Sequence, residues 1–244
     1  MARKLNFTIV YQDEHLILVN KLPGISVIRE RDARITANLL EEVSNFINCE
    51  LLLVHRVDKD TSGLVLFAKT SDAQKELSEQ FLLGKVRKKY LAIVGGKVEK
   101  DDWQSIDFPI FKKQNAIKVS IHPKGKKSKT LYRTKELFPK ATILEVEILT
   151  GRTHQIRIHL AEIGIPLLVD PLYGKKSELM LSELMGGKYK RSKFKDERPI
   201  MARQTLHAAE LSFIHPGSSE KMEFEAELPK DWKALVNQMR KASL

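Results

Sequence analysis

Short apolar runs broken by turn signals dominate the first part of the chain. Phe7-Thr8-Ile9-Val10-Tyr11 and His15-Leu16-Ile17-Leu18-Val19-Asn20 flank a polar Gln12-Asp13-Glu14 step, the pattern of a β-hairpin. Leu22-Pro23-Gly24 ends the second strand. Leu39, Leu40, Val43, Phe46 and Ile47 recur at helical spacing, with Thr36 as a candidate cap. Leu64-Val65-Leu66-Phe67-Ala68 is a continuous apolar run that reads as a buried strand. Ser71 with Gln74 forms a capping box for a helix facing inward through Ala73, Leu77 and Phe81, with Gly84 as its C′ residue. Tyr90-Leu91-Ala92-Ile93-Val94 is a strand stopped by Gly95-Gly96.

Later segments alternate more clearly. Leu144, Val146 and Ile148 alternate with Glu145 and Glu147, which predicts a strand with one solvated face. Ile156, Leu160 and Ile163 form a helical stripe, with Thr153 placed to cap it and Gly164 and Pro166 to end it. Met222, Phe224 and Ala226 alternate with glutamates in a late strand. Trp232, Leu235, Val236 and Met239 predict a C-terminal helix. Strands and helices mix irregularly, so the fold class is α+β with a largely antiparallel sheet. No internal repeat or low-complexity linker divides residues 1–244, which read as one domain. Residues 175–204 are basic and weakly periodic, and read as an exposed insertion.

Composition narrows the class. The 244 residues carry 42 Lys+Arg against 31 Asp+Glu, a net charge of +11, and 42% are hydrophobic. That fraction supports a core and excludes wholesale disorder. No apolar run is long enough for a membrane-spanning helix, and the N-terminus lacks an apolar signal core. Cys49 is the sole cysteine, which excludes an intramolecular disulfide and a cysteine-rich zinc site. The chain reads as a soluble, cytoplasmic protein with a polyanionic partner.

The charge is uneven. Residues 1–120 hold 19 basic and 16 acidic side chains, and residues 121–244 hold 23 and 15. Lys85, Arg87, Lys88 and Lys89 form one cluster. Lys124, Lys126, Lys127, Lys129, Arg133 and Lys135 form another, free of acids from 121 to 135. Lys188, Lys190, Arg191, Lys193 and Lys195 form the third, interleaved with Tyr189 and Phe194. Each alone reads equally as a solvated loop. Together, with nearby aromatics, they favour RNA.

The densest chemistry lies in His55-Arg56-Val57-Asp58-Lys59-Asp60-Thr61-Ser62-Gly63, immediately before the buried strand. Charges at such a place must be paired or functional. A purely structural reading is a turn capped by Asp58 near Thr61. The segment resembles the central His-Arg-Leu-Asp-x-x-Thr-Ser-Gly motif of the RluA-type pseudouridine synthases, with Val57 as the one departure. Further matches follow in family order. They include Tyr11-Gln12-Asp13 with Val19-Asn20-Lys21-Leu22-Pro23-Gly24, and Lys88-Lys89-Tyr90-Leu91-Ala92. They continue with Thr150-Gly151-Arg152-Thr153-His154-Gln155-Ile156-Arg157-Ile158-His159, Gly164-Ile165-Pro166, Asp170-Pro171-Leu172-Tyr173-Gly174 and Leu206-His207-Ala208.

The resemblance implies an isomerase that converts uridine to pseudouridine within structured RNA, ribosomal or transfer. By motif match Asp58 is the carboxylate, acting as nucleophile or charge stabiliser. Arg157 is the arginine that pairs with it, and Tyr90 packs against the base. A phenol's ordinary pKa of about 10 makes unaided base action by Tyr90 awkward at neutral pH. The target must leave its helix to react, and Arg56 matches the residue that fills the space. His55, Thr61, Ser62 and Gly63 shape the loop. Lys21, Arg152 and His154 are candidate RNA or active-site contacts, joined by Lys126, Lys127, Lys190 and Arg191 in the basic clusters.

No cofactor and no metal are expected, since the reaction changes no redox state and His154 and His159 lack the metalloprotease spacing. A monomer is expected. The opening hairpin starts by residue 7, leaving no room before it for the S4-type domain of some members.

Two other classes compete. A phosphotransferase would need adjacent His-Arg-Asp with Asn five positions on; here Val57 intervenes and Gly63 stands there. A non-catalytic RNA-binding or ribosome-assembly factor on the same fold is the stronger rival. Intact Asp58, Tyr90 and Arg157 argue against it, and an RRM-type aromatic pattern is absent.

Overall fold

The computed structural model describes residues 5–29, 37–186 and 197–243. In chain order the elements are β1 (Phe7–Gln12), β2 (Leu16–Lys21), α1 (Leu39–Ile47), β3 (Leu52–Leu53), β4 (Ser62–Ala68), α2 (Ser71–Leu82), β5 (Arg87–Gly95) and β6 (Gln104–Asp107). There follow β7 (Ile110–Phe111), β8 (Ser120–Ile121), β9 (Lys129–Leu137), β10 (Ala141–Ile148), α3 (Gln155–Glu162), β11 (Leu179–Met180) and α4 (Leu181–Met185). The chain closes with β12 (Pro199–Met201), β13 (Leu206–Ile214), β14 (Lys221–Glu225) and α5 (Lys230–Ala242). Two compact units emerge. Residues 1–89 with 207–227 form the first, and residues 90–206 with 228–244 form the second.

In the first unit the predicted hairpin is present as β1 and β2, and β2 runs antiparallel along Gly63–Ala68 of β4. The other edge of β4 is shared. β3 pairs antiparallel with Phe67–Ala68, and β13 lies parallel at Ser62–Gly63. β14 folds back on β13. Every residue of β4 is buried, as its unbroken apolar run demands. The core joins Leu16, Leu18, Leu64, Leu66, Leu77, Leu211 and Phe213, so α2 covers one face of these strands.

The parallel step between β4 and β13 leaves no clearance. Gly63 has φ +112°, and a Cβ built there would lie 2.1 Å from the Ala208 carbonyl oxygen. Only glycine satisfies both the backbone angle and that approach.

In the second unit the strand order is β5-β10-β9-β6. β9 and β10 form a long antiparallel pair. β7 with β8, and β11 with β12, make two further small ribbons. The core gathers Ile93, Ile143, Val169, Trp232, Leu235, Val236 and Met239. α5 contributes its predicted stripe in full, with Trp232 completely buried. Leu179, Leu184 and Met201 belong to the same core. The segment 175–204, expected as an exposed excursion, is therefore partly core at its described ends. The few apolar residues among its lysines are spaced for contacts that no local period reveals.

The helix ends differ from their predicted caps. Thr36 lies outside the described residues, and Asn38 caps α1 by accepting the Glu41 N–H at 3.0 Å. Thr70 rather than Ser71 caps α2, accepting the Ala73 N–H at 3.2 Å. α3 starts from His154 in the left-handed region, not from Thr153, and has no side-chain cap. Gly84 and Gly164 do follow the helices they were expected to end.

Replacing Gly63 with alanine should destabilise the protein by more than about 3 kcal/mol. A strained φ accounts for about 1–3 kcal/mol, and the backbone clash adds to it. Chemical denaturation measures this, and a loss below about 1 kcal/mol would refute the zero-clearance step.

Candidate active site

The first unit holds one half of the expected constellation. The motif 55–63 forms the loop that leads into β4, and three separate anchors hold it. At its start the His55 ring stacks on Phe81, centroids 4.6 Å apart, and its Nε2 accepts the Leu66 N–H at 3.0 Å. That bond requires Nδ1 to carry the proton of the neutral ring. Burial, helped by the nearby Lys88 ammonium, pushes the His55 pKa down to about 3. The imidazole is thus a fixed acceptor through the neutral range.

Midway, Lys21 is completely buried. Its ammonium donates to the carbonyls of Leu22 and Ile25, both at 3.0 Å, and of Lys59 at 2.7 Å. The Gly24 N–H reaches the same Lys59 carbonyl at 3.1 Å. Lys21, expected as an RNA or active-site contact, is buried and braces the loop from within, holding the carbonyl of the residue after Asp58. A buried ammonium needs several oxygen partners, and the turn ending β2 provides two and the loop a third.

At its end Thr61 and Ser62 are buried. The Thr61 N–H donates to the Asp58 carbonyl at 3.1 Å, so the turn is closed by main chain. The Ser62 hydroxyl lies 2.9 Å from His207 Nδ1, and His207 Nε2 lies 3.5 Å from the Ala226 carbonyl. A carbonyl only accepts, so Nε2 carries the proton and Nδ1 receives the Ser62 hydroxyl. Between these anchors Arg56 is exposed and Asp58 half-buried. Among the described residues Arg56 makes no ion pair.

The second unit holds the other half. Tyr90 is buried on β5. Arg157 is buried on α3 and grips Asp170 side-on, Nε to Oδ2 at 2.7 Å and Nη2 to Oδ1 at 2.8 Å. Asp170 also receives the Leu172 and Tyr173 N–H groups at 2.8 and 3.1 Å. Burial alone would raise its pKa. The Arg157 hydrogen bond and charge, with those two amides, outweigh burial and hold the carboxyl below the usual range. Asp170 was legible only as part of a motif, and its part in orienting Arg157 was not. Nothing local signals an ion pair thirteen residues long.

A polar network fixes the start of α3. The Gln155 amide donates to the Lys129 carbonyl and to Thr130 Oγ1, both at 3.0 Å, while its oxygen accepts the Thr150 hydroxyl and the Arg152 N–H. His159, fully buried, bonds Thr130 through Nδ1 at 2.9 Å and the Phe108 carbonyl through Nε2 at 3.0 Å. Burial pushes its pKa down, against smaller opposing pulls from Phe108 and Asp107. His154 Nδ1 lies 2.9 Å from the Tyr173 hydroxyl, and the Arg157 guanidinium sits over the Tyr173 ring. Arg152 is exposed, its Nε donating to the Lys127 carbonyl at 3.2 Å. Lys126 and Lys127 are exposed beside it. Lys190 and Arg191 lie outside the described residues. No group of three metal-binding side chains occurs among the described residues.

Comparison with known proteins gives a consistent answer. The family model "RNA pseudouridylate synthase" matches residues 15–162. The chain is 35% identical over 98% of its length to the ribosomal large subunit pseudouridine synthase D of Nitrosomonas europaea, of which it covers 67%. It is 33% identical to the ribosomal large subunit pseudouridine synthase C of Vibrio cholerae, over 98% of this chain and 71% of that one. Its fold is similar to that of human RNA Pseudouridylate Synthase Domain Containing 4, with a TM-score of 0.71 at 22% identity, covering 95% of this chain and 92% of that one.

His55 gives a pH prediction. Its folded pKa of about 3 lies below the unfolded value of about 6.5, so below pH 6.5 only the unfolded chain gains the proton. Stability should therefore fall as pH drops from about 6.5, by up to about 1.4 kcal/mol per unit. His159 adds in the same direction. The variant H55Q keeps an acceptor without titrating, so its stability between pH 5 and 7 should vary less. An identical pH dependence in H55Q would contradict the assignment.

Proposed function

We propose a division of labour within this chain, which belongs to the RNA pseudouridylate synthase family and isomerises uridine to pseudouridine in RNA. Asp58 is the carboxylate of the reaction. The glycosidic bond from N1 to ribose C1′ breaks, the uracil turns, and C5 joins C1′ as its proton leaves. Asp58 assists by attacking or by stabilising the positive charge that develops on the sugar or base. The observation that carries this reading is the triple anchoring of its loop by His55, Lys21 and Ser62. It holds the exposed Arg56 and the half-buried Asp58 on either side of the buried Val57, just before the buried Thr61 and Ser62. Preorganisation of this kind is what charge stabilisation requires.

Arg56 enters the space left by the flipped uridine, its planar guanidinium stacking there and reaching phosphate. Its exposure and its lack of an ion pair among the described residues support that role. Tyr90 is the ring on which the uracil packs, with proton removal at C5 a further task for its phenol. Arg157 supplies positive charge, and Asp170 and Tyr173 set its orientation. His154 and Arg152 flank the start of α3 as RNA contacts, with Lys126 and Lys127, and with Lys190 and Arg191 in the third basic cluster.

The substrate is large-subunit ribosomal RNA, a reading supported by the names of the bacterial relatives. Transfer RNA is the other substrate the motifs allow. The two units work as one catalytic domain in a cytoplasmic monomer, with no cofactor and no metal. Among the described residues no helix is long and apolar enough to cross a membrane.

Two measurements test the assignment. D58N should lose pseudouridine formation by at least a thousandfold while still binding RNA, as deletion of a charge-stabilising group commonly costs 10²–10³ or more. Activity within tenfold of wild type would sink the role of Asp58. Changing Lys124, Lys126, Lys127 and Lys129 together to glutamine should flatten the salt dependence of RNA binding, by about 0.7 in log–log slope per lost phosphate contact. An unaltered slope would remove this patch from the footprint.

A further inference from the structure

The ribbon of β7 and β8 carries more than the lysines that composition singles out. From Phe108 to Lys135 there is no acidic residue. The described structure extends the basic surface beyond 124–129 to Lys112, Lys113 and Lys118, all exposed. Two rings stand among them. Phe111 is 38% exposed, and it lies 5.5 Å from the exposed His122 ring at a tilt of 45°. Solvent-facing aromatics beside unpaired lysines are poorly suited to a merely solvated loop. They match what unpaired nucleotides need, a stacking surface with phosphate partners around it.

The ribbon is also firmly mounted. Its base is closed by a reciprocal pair of backbone bonds between Ile110 and Lys126, both 2.9 Å. Gly125 packs so closely there that a Cβ would lie 2.6 Å from the Ile110 backbone. Three bonds join it to α3 and its surroundings. The Phe108 carbonyl accepts from His159, the Val119 N–H donates to the Tyr173 hydroxyl at 2.7 Å, and the Lys127 carbonyl accepts from Arg152. Tyr173 is the residue beneath the Arg157 guanidinium and bonded to His154. The arm is thus braced on the helix that carries Arg157.

We infer that residues 108–127 form a rigid RNA-docking arm that stacks unpaired bases of the substrate on Phe111 and His122 while its lysines hold the adjoining phosphates. The inference rests on the RNA-modifying activity and adds a contact for nucleotides other than the target uridine. Its chemistry favours a single-stranded loop or bulge over a continuous duplex, whose bases offer no open faces. The mounting through His159 and Tyr173 makes the arm a ruler that fixes the distance between stacked nucleotides and Arg157.

The test uses the full chain, a 20-nucleotide uridine-rich single-stranded RNA and a duplex of the same length. The double variant F111A/H122A should bind the single strand about tenfold more weakly and the duplex within twofold of wild type, since stacking is lost and charge is not. The variant F111W should restore single-strand binding. Replacing Lys112, Lys113 and Lys118 by glutamine should weaken both RNAs and flatten both salt slopes. With 4-thiouridine in the single strand, irradiation should crosslink the peptide 108–127. Unchanged single-strand binding by F111A/H122A, an equal loss for the duplex, or absence of the crosslink would overturn the arm. The same wild-type preparation is assayed for pseudouridine formation on total RNA. Failure there would count against the enzymatic reading, whereas binding and crosslinking decide the arm separately.

Discussion

The approach of Gly63 to the Ala208 backbone constrains the first unit more than any other contact. β4 is buried along its whole length, yet it must be entered from a segment of charged and hydroxyl residues. The parallel step at Ser62–Gly63 makes that entry possible by setting β13 against the first residues of β4. Once the backbones meet at that distance, Ser62 falls within reach of His207 and the loop end is fixed. His55 and Lys21 then hold the start and middle, each by satisfying polar groups that burial would otherwise penalise. Between these anchors Arg56 is exposed and Asp58 half-buried, the placement that the roles proposed for them require.

The second unit solves a related problem with different parts. α3 begins without a side-chain cap, from a residue in the left-handed region. Gln155 replaces the cap by bridging Thr150, Arg152, Lys129 and Thr130, and neutral His159 links Thr130 to Phe108. Arg157 is charged and buried in the same turns, and Asp170 is the carboxylate that makes this tolerable. A buried pair of this kind is fragile to loss of one partner and strongly orienting when intact. The helix that carries the candidate arginine is therefore built around polar bonds more than around its apolar stripe.

Local pattern made much of this legible. Continuous apolar runs identified β4 and β5, alternation identified β10 and β14, and helical spacing identified α1, α2, α3 and α5. The pieces that escaped are those whose stability comes from distant partners. β7 and β8 are two residues each and exist through pairing with each other. The caps of α1 and α2 lie one or two positions from the expected residues, because several hydroxyl and amide side chains compete at each start. Lys21 reads as an RNA or active-site contact, and its burial among main-chain carbonyls has no local signal. Asp170 reads only as part of a motif until Arg157 meets it. The ordered motifs nevertheless placed the chain in its family, which the likeness of 98% of the chain to a bacterial relative bears out.

The net charge of +11 acquires a location as well as a sign. Its clearest described concentration is the acid-free stretch 108–135, which bears β7, β8 and most of β9, in the same unit as α3. The first unit holds the Asp58 loop, and the second holds a basic surface braced on α3. This chain makes pseudouridine in RNA. A transcriptome-wide pseudouridine map of cells with and without the gene tests it most directly. One or a few uridines, in large-subunit ribosomal RNA, should lose the modification on deletion and regain it when the intact gene is returned. A map with no site that depends on the gene would contradict the account.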